Sequence, residues 1–308
     1  MQFVTSDTVA GRLSWTGVMQ ALRDGHQRPK AEIGDQFLTR DPDTLLSRAA
    51  WIDGLGIGVK SVSVMAGNTA RGLPTVQGAM LVFDDSDGRI AAVIDSDLVT
   101  QWKTAGDSVF GARLLARPDS ATLLIVGAGV VAENLVRAYA EVFPDLRQIT
   151  VWNRTGSKAA DLAARMSDEG FPVSAATDLP KACAEADIIT TATMAKEPIL
   201  QGDWITPGTH VDLIGAFKSD MREADDALLQ KARIFVDSYD TTIHHIGELM
   251  IPLASGAIAE SDVLADFYEL VAGDHVGRSG QEEITVFKNG GGAHLDLMTA
   301  DYILSTLD

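Results

Sequence analysis

The residues with the clearest chemical meaning are Gly127, Gly129 and Ala132 of the run Gly127-Ala128-Gly129-Val130-Val131-Ala132, which follows the apolar stretch Leu123-Leu124-Ile125-Val126. Small residues at this spacing allow a tight turn, a close approach of phosphate to the backbone, and close packing of a helix on the strand before it. The N-terminus of that helix then faces the phosphate charge. A second apolar run, Ile149-Thr150-Val151-Trp152, ends about twenty residues past Ala132 in Asn153-Arg154-Thr155, with Lys158 one turn further on. Strand, turn, helix and strand in this order describe a dinucleotide-binding unit. The end of the second strand bears on which dinucleotide: an NAD(H) site normally carries Asp or Glu there for the ribose 2′-hydroxyl, whereas a guanidinium can bind a 2′-phosphate bidentately. NADP(H) is therefore favoured, with NAD(H) as the alternative and Arg154 as a merely solvated cation as the competing reading.

Other reactive side chains point nowhere so definite. The single cysteine, Cys183, sits in the helical-looking Lys181-Ala182-Cys183-Ala184-Glu185-Ala186, reads as a small buried thiol and excludes an intrachain disulfide framework. Asp84, Asp85 and Asp87 lack the remaining positions of a calcium loop and read as a solvated turn. His244, His245 and His275 show no metal-ligand spacing with acidic partners, so no metal site is expected. No Gly-x-Ser-x-Gly elbow supports a serine hydrolase.

These groups need a scaffold, and the chain is long enough for two domains: 308 residues, 46% hydrophobic and 22% charged. A formal charge of −18 argues against nucleic acid as a partner. The first residues lack the blocks of a secretory signal and no apolar run reaches bilayer length, so a cytoplasmic protein without membrane contact is expected. Residues 1 to about 115 read as mixed α+β. Helical spacing covers 9–24, strand-like runs cover 44–46, 58–65, 78–83 and 89–94 with a hairpin loop at 84–88, and a helix runs over 98–115. The expected domain crossing is Pro118-Asp119-Ser120-Ala121. From there strands (123–126, 149–152, 171–176, 187–193, 210–215, 233–237) alternate with helices (132–142, 157–166, 179–186), predicting an α/β Rossmann domain with a doubly wound parallel sheet. The pattern breaks near Phe287 at Asn289-Gly290-Gly291-Gly292-Ala293, and a last helical segment could return to the first domain.

A further set of motifs appears in register along nearly the whole chain. It comprises Gly58-Val59-Lys60, Asn68, Gly72-Leu73-Pro74-Thr75, Asp95, Lys103-Thr104-Ala105, the dinucleotide turn and Trp152-Asn153-Arg154-Thr155. It continues through Thr191-Ala192-Thr193, Glu197-Pro198-Ile199-Leu200, Ile214-Gly215, Arg222-Glu223, Val236-Asp237-Ser238 and Thr285-Val286-Phe287-Lys288. In this the chain resembles the ornithine cyclodeaminase and μ-crystallin family, which includes an alanine dehydrogenase type and reductases of cyclic ketimines. The resemblance implies a homodimer. Its substrate-binding and dimerisation domain would be 1–117 completed by 287–308, with an NADP-binding Rossmann domain over 118–286. It implies that Lys60 is the active-site lysine, and a lysine inside an apolar strand is indeed costly to bury unless an anion or a catalytic role compensates; a Lys60 that snorkels to solvent is the alternative. Cofactor contacts are implied at Thr75, Gly127, Gly129, Val130, Val131, Ala132, Asn153, Arg154, Thr155, Lys158, Thr191, Ala192, Thr193, Ile214, Gly215, Lys288 and Asn289, and His294 would lie near the nicotinamide.

Two departures from the family pattern bear on the reaction. Where relatives usually carry Arg-Thr-Ala-Ala this chain has Lys103-Thr104-Ala105-Gly106, so a bidentate clamp becomes a point charge. Carboxylate recognition would then shift to Arg48, which with Lys60 would hold the carboxylate while Lys103 and Thr104 help to place substrate and cofactor, unless Arg48 is an ordinary surface or structural ion-pair residue. Where cyclodeaminases and the alanine dehydrogenase type carry a catalytic Asp, two residues past the glycine corresponding to Gly215, this chain has Phe217, which cannot carry a proton; Asp220 is out of register. The expectation is an NADP(H)-dependent reductase of a small cyclic imino acid, of the Δ1-pyrroline-2-carboxylate or Δ1-piperideine-2-carboxylate type. The alternatives are an ornithine cyclodeaminase with bound NAD and a non-catalytic, μ-crystallin-like NADPH- and ligand-binding protein.

Overall fold

The computed structural model describes residues 1–307. The chain divides into two compact units, Met1–Gly106 with Gly291–Asp308, and Asp107–Gly290. The first unit holds a six-stranded sheet: β1 (Gln2–Val4), β2 (Glu32–Arg40), β3 (Asp43–Ile52), β4 (Gly56–Val64), β5 (Val76–Phe83) and β6 (Ile90–Asp95) in the order β1-β6-β5-β4-β3-β2. The strands from β2 to β6 pair antiparallel, and β1 adds in parallel at the far edge. Helix α1 (Trp15–His26) begins at Ser14, whose side chain accepts from the Gly17 N–H, and not at Val9 as the apolar spacing predicts. The reason is local: Gly11 takes the left-handed conformation (φ 71°), which ends any helical turn before it, and Ser14 supplies the cap.

Strand β2 and most of β3 were not legible as strands because β2 is exposed along its whole length, which erases the in-out alternation that marks a strand. The C-terminal helix, Ala293–Ser305, packs on α1 and on β3 and β4, so the tail does return to this unit. Leu297 and Met80 fill the space over Gly58, where a Cβ would lie 3.1 Å from the Leu297 side chain.

The crossing out of the first unit falls inside helix α2 (Ser96–Leu115), at Gly106/Asp107, and not at Pro118-Asp119-Ser120-Ala121; the return falls at Gly290/Gly291. The last turns of α2 bury Val109, Phe110 and Ala112 in the second unit, and Gly111 lies against the Phe287 ring. A turn signal in the sequence therefore marks a loop, while the boundary lies in a continuous helix.

The second unit is an eight-stranded parallel sheet of β7 (Thr122–Val126), β8 (Gln148–Trp152), β9 (Val173–Ala175), β10 (Ile188–Thr191), β11 (His210–Leu213), β12 (Arg233–Val236), β13 (Val263–Ala265) and β14 (Thr285–Lys288). Their order is β13-β12-β14-β11-β10-β7-β8-β9, a doubly wound sheet of the dinucleotide-binding kind. Strands β13 and β14 lie beyond the alternation seen in the sequence, and β14 enters between β11 and β12. Helices α3 (Val130–Val142), α4 (Gly156–Asp168), α5 (Leu179–Ala184), α6 (Asp226–Lys231), α7 (Tyr239–Thr242), α8 (Gly247–Ser255) and α9 (Phe267–Ala272) connect the strands, and the C-terminal helix is α10. A continuous apolar core holds Leu124, Cys183, Ile189, Leu213, Val236 and Val286 together; Cys183 is buried, its thiol pushed up to about 12 by burial.

Candidate functional site

In the first unit, β4 alternates buried and half-buried residues, which puts Lys60 on the same inner face as Gly58 and Val62. Lys60 is 6% exposed. Its cross-strand neighbours are Arg48 on β3 and Met80 on β5. Asp296, in the first turn of α10 where the helix dipole favours a carboxylate, comes within 2.6 Å of the Lys60 ammonium, and the Thr100 hydroxyl accepts from it at 3.4 Å. Burial pulls Lys60 down to about 8; Asp296 opposes that shift, while Lys103 and Arg48 add to it. Burial alone would raise Asp296, but Lys60, Lys103 and Arg48 together outweigh it and hold the carboxyl below its ordinary range.

Arg48 forks onto Asp35 of β2, at 2.6 and 3.3 Å, and donates to the Gly291 carbonyl at 2.5 Å. It is thus an ion-pair residue whose position at Lys60 is fixed by a partner of its own. Lys103 is 8% exposed, and among the described residues no carboxylate lies within ion-pair distance of it; Gly291 packs against its ammonium so closely that a Cβ there would meet it at 2.7 Å. Thr104 is half-buried on the same helix. His294, in the first turn of α10, meets His26 edge-on at 5.5 Å. Burial lowers both, His26 to about 4, and the Lys103 and Arg48 charges push His294 down further, so both rings are neutral. Thr75 also belongs to the first unit, where its hydroxyl meets that of Thr69 at 3.1 Å.

The second unit carries the remaining expected residues along the carboxyl edge of its sheet. Gly127, at the end of β7, has φ 127°, and a Cβ there would lie 2.5 Å from the Ala192 carbonyl, so only glycine fits. Gly129 opens α3 without a side-chain cap and has nothing within 4 Å of where its Cβ would be; Val130 beside it is 75% exposed. Bare N–H groups at a helix start, behind an open glycine, fit a dinucleotide pyrophosphate. Ala132 is fully buried against the strand, and Val131 is half-buried. After β8, Asn153 bonds the Thr155 carbonyl at 3.0 Å, while Arg154 and Lys158 are exposed with no ion-pair partner among the described residues.

The strand ends deeper in this edge are held by buried charges, of which Lys288 was expected as a cofactor contact, while Glu248 and Asp212 were not. Glu223 is fully buried and accepts from Thr191, Thr193 and Gly215. Glu248 accepts from the Glu223 and Ala224 N–H groups at 2.8 and 2.9 Å and is pushed up to about 7 by burial and then by Glu223. Lys288 is fully buried and donates to the Leu213 carbonyl at 2.8 Å, and Asn289 donates to Asp212 at 2.6 Å. Both therefore sit beneath the strand ends and not on the surface of the edge. Phe217 is 54% exposed after β11. A lone charged residue inside an apolar run marks Asp212 and Asp296 as it marks Lys60, whereas Glu223 lies among the charged residues Lys218, Asp220, Arg222, Asp225 and Asp226 and carries no such contrast.

An uncapped glycine turn at the edge of a doubly wound sheet, joined to an α+β unit with a buried cation cluster, defines a two-domain protein that takes a pyridine nucleotide. The chain belongs to the Ornithine cyclodeaminase/mu-crystallin family, which it matches over residues 50–307. It is 58% identical over 302 residues, 98% of this chain and 96% of the relative, to a Δ1-pyrroline-2-carboxylate reductase of Paracoccus denitrificans. It is 34% identical to the ketimine reductase mu-crystallin of Mus musculus over 79% of this chain and 74% of that one. The structure of the Thermococcus litoralis Δ1-pyrroline-2-carboxylate reductase in complex with NADH and L-proline superposes with a TM-score of 0.92 at 28% identity, covering 99% of this chain and 97% of that one.

Proposed function

We propose that this protein reduces a small cyclic imino acid of the Δ1-pyrroline-2-carboxylate type to the cyclic amino acid, with NADPH as the preferred reductant. The observation that carries the reading is Lys103: a buried ammonium with no carboxylate within ion-pair distance among the described residues is unfavourable by itself, and an anion placed beside Arg48, Lys60 and Lys103 restores the balance. The two carboxylates present, Asp35 and Asp296, match Arg48 and Lys60 and leave one positive charge for the carboxylate of the substrate. Near-complete coverage at 58% identity by a Δ1-pyrroline-2-carboxylate reductase supports the same assignment.

When bound, the nicotinamide supplies a hydride to the carbon of the C=N bond. The residues of the first unit hold the substrate carboxylate through Lys103 and Lys60, with Arg48 fixing the charge of the cluster. Lys60 is protonated below about 8, so its ammonium can also lend a proton to the imine nitrogen, whose protonated form accepts hydride more readily. Phe217 keeps a proton carrier out of its own position, which suits a reaction that releases no ammonia and activates no water. Arg154 and Lys158, exposed after β8 with no carboxylate before Gly156, favour a 2′-phosphate. We also assign a homodimer, since Phe37, Leu38 and Trp51 are 62%, 55% and 51% exposed on β2 and β3.

The test is steady-state oxidation of NADPH and NADH by purified protein with five- and six-membered cyclic imino acids. Proline or its six-membered homologue should accumulate in step with nucleotide oxidation. No oxidation with either ring would refute the assignment.

A further inference from the structure

Glu223 lies fully buried just outside the carboxyl ends of β10 and β11, and four donors converge on its carboxylate. Oε1 accepts from the Thr193 N–H at 2.9 Å and the Thr193 hydroxyl at 2.7 Å. Oε2 accepts from the Thr191 hydroxyl and the Gly215 N–H, each at 2.6 Å. The carboxylate thus ties the loop after β10 to the loop after β11, and in open α/β sheets these loops, at the carboxyl ends of the strands, are where ligands bind. Its own backbone is fixed as well: the Glu223 carbonyl accepts from the Ile199 and Leu200 N–H groups at 2.8 Å, and its N–H donates to Glu248. A Cβ on Gly215 would run into the Thr193 backbone and meet Oε1 at 2.5 Å, so the close approach of the two loops at the clamp admits only glycine there.

We infer that Glu223 is a positioning residue for the pyridine nucleotide, holding the Thr191–Thr193 and Gly215 loops at the separation that the nucleotide needs. The inference rests on the reading of this edge as the cofactor site. Burying a carboxylate is unfavourable unless every lone pair is used, and here the donors on the two oxygens include one backbone N–H each. A glutamine at this place has a single acceptor oxygen. Its amide NH2 would have to face either the Thr193 N–H or the Gly215 N–H, and one loop would be pushed away.

A second carboxylate provides the comparison. Asp187 precedes β10 at the opposite edge of the sheet, where it accepts from the Ala121 N–H at 2.8 Å, the Thr122 N–H at 3.0 Å and the Thr122 hydroxyl at 2.9 Å, and pairs with Arg117. It knits strands as Glu223 does but lies at the edge away from the nucleotide loops.

The experiment measures binding of NADPH and NADH to wild type, Glu223→Gln and Asp187→Asn by nucleotide fluorescence, with thermal unfolding on the same samples. Wild type must bind first; if it binds neither nucleotide, the cofactor reading itself is wrong. If it binds, both variants should unfold at lower temperature, but only Glu223→Gln should bind nucleotide roughly tenfold or more weakly, the cost of leaving one buried donor unmet. Equal affinity in Glu223→Gln and wild type overturns the inference, as does an equal loss in both variants. Should Glu223→Gln fail to fold, Thr191→Val decides: Thr191 is fully buried and touches the clamp, and losing one of the four bonds should weaken nucleotide binding by roughly two- to fivefold. Unchanged affinity in that variant has the same force against the inference.

Discussion

Replacing Asp296 by asparagine removes the one carboxylate that the described residues place within hydrogen-bonding distance of Lys60, and does so without changing shape. What remains around the ammonium is unfavourable to its charge: burial, Lys103 and Arg48 all act to strip its proton, and the Thr100 hydroxyl at 3.4 Å compensates weakly. With Asp296 present Lys60 titrates at about 8. A facing opposite charge within ion-pair distance typically holds a group by about one to three pH units, so the variant should titrate roughly two units lower. If the protonated lysine is the form that binds and protonates the imino acid, kcat/KM for wild type should be flat below neutrality and fall as pH rises through about 8. In Asp296→Asn that falling limb should begin about two units earlier, leaving activity at pH ~7.5 on the order of 20-fold lower and restoring most of it near pH ~5. Stability runs the opposite way from activity. Lys60 in the folded protein lies below its ordinary 10.5, so its contribution is fully present above that value and is lost as pH falls through about 8. The assay is a pH series of kcat/KM with saturating nucleotide, accompanied by circular dichroism to show that the variant is folded. A uniform loss at every pH, with the limb unmoved, would refute the view that Asp296 sets the charge on Lys60.

Three further outcomes are expected. Lys103→Met should raise KM for the imino acid by roughly tenfold or more yet raise the melting temperature, because it removes a buried charge that has no carboxylate at ion-pair distance until the substrate binds; a lower melting temperature would show that Lys103 has a protein partner in solution. Arg154→Ala should weaken NADPH binding by about tenfold and leave NADH unchanged, measured by titration with each nucleotide; an equal effect on both would remove the case for a 2′-phosphate. Charged replacement of Phe37 and Leu38 together should convert a dimer to a monomer in light scattering at micromolar concentration, and a monomeric wild type would overturn the assignment of that strand to the dimer contact.

Much of the second unit was legible because its signals are local. The glycine turn, the strand before it and the polar end of β8 lie within one contiguous stretch, and each obeys a steric or electrostatic rule that needs no distant partner. The first unit was harder. Strand β2 is exposed throughout and carries no alternation, and β3 shows only its Thr44-Leu45-Leu46 segment as a clear apolar run. The site residues split the same way. Lys60 announced itself as a charge in an apolar strand, but its partner Asp296 lies 236 residues further on, in a helix whose own sequence gives no reason to look back to β4. Arg48 stood between two roles until Asp35 was seen beside it, since an ion pair across two strands depends on register. Glu223 was visible only as part of a motif; its four donors come from two loops that converge in space alone.

Strand β14 has a consequence for how this chain is made. It occupies an interior place in the second sheet between β11 and β12, yet it comes from residues 285–288, and the helix that covers β3 and β4 in the first unit follows directly after it. During synthesis neither unit can complete its core until residues 285–305 have left the ribosome, because both lack an internal piece until then. β11 and β12 must wait, unpaired along the edges that later receive β14, as long-range parallel pairing is slow and leaves such edges open to other chains. A premature stop before residue 285 would therefore abolish both units together and leave an aggregation-prone sheet, in contrast to proteins whose first domain folds and survives by itself.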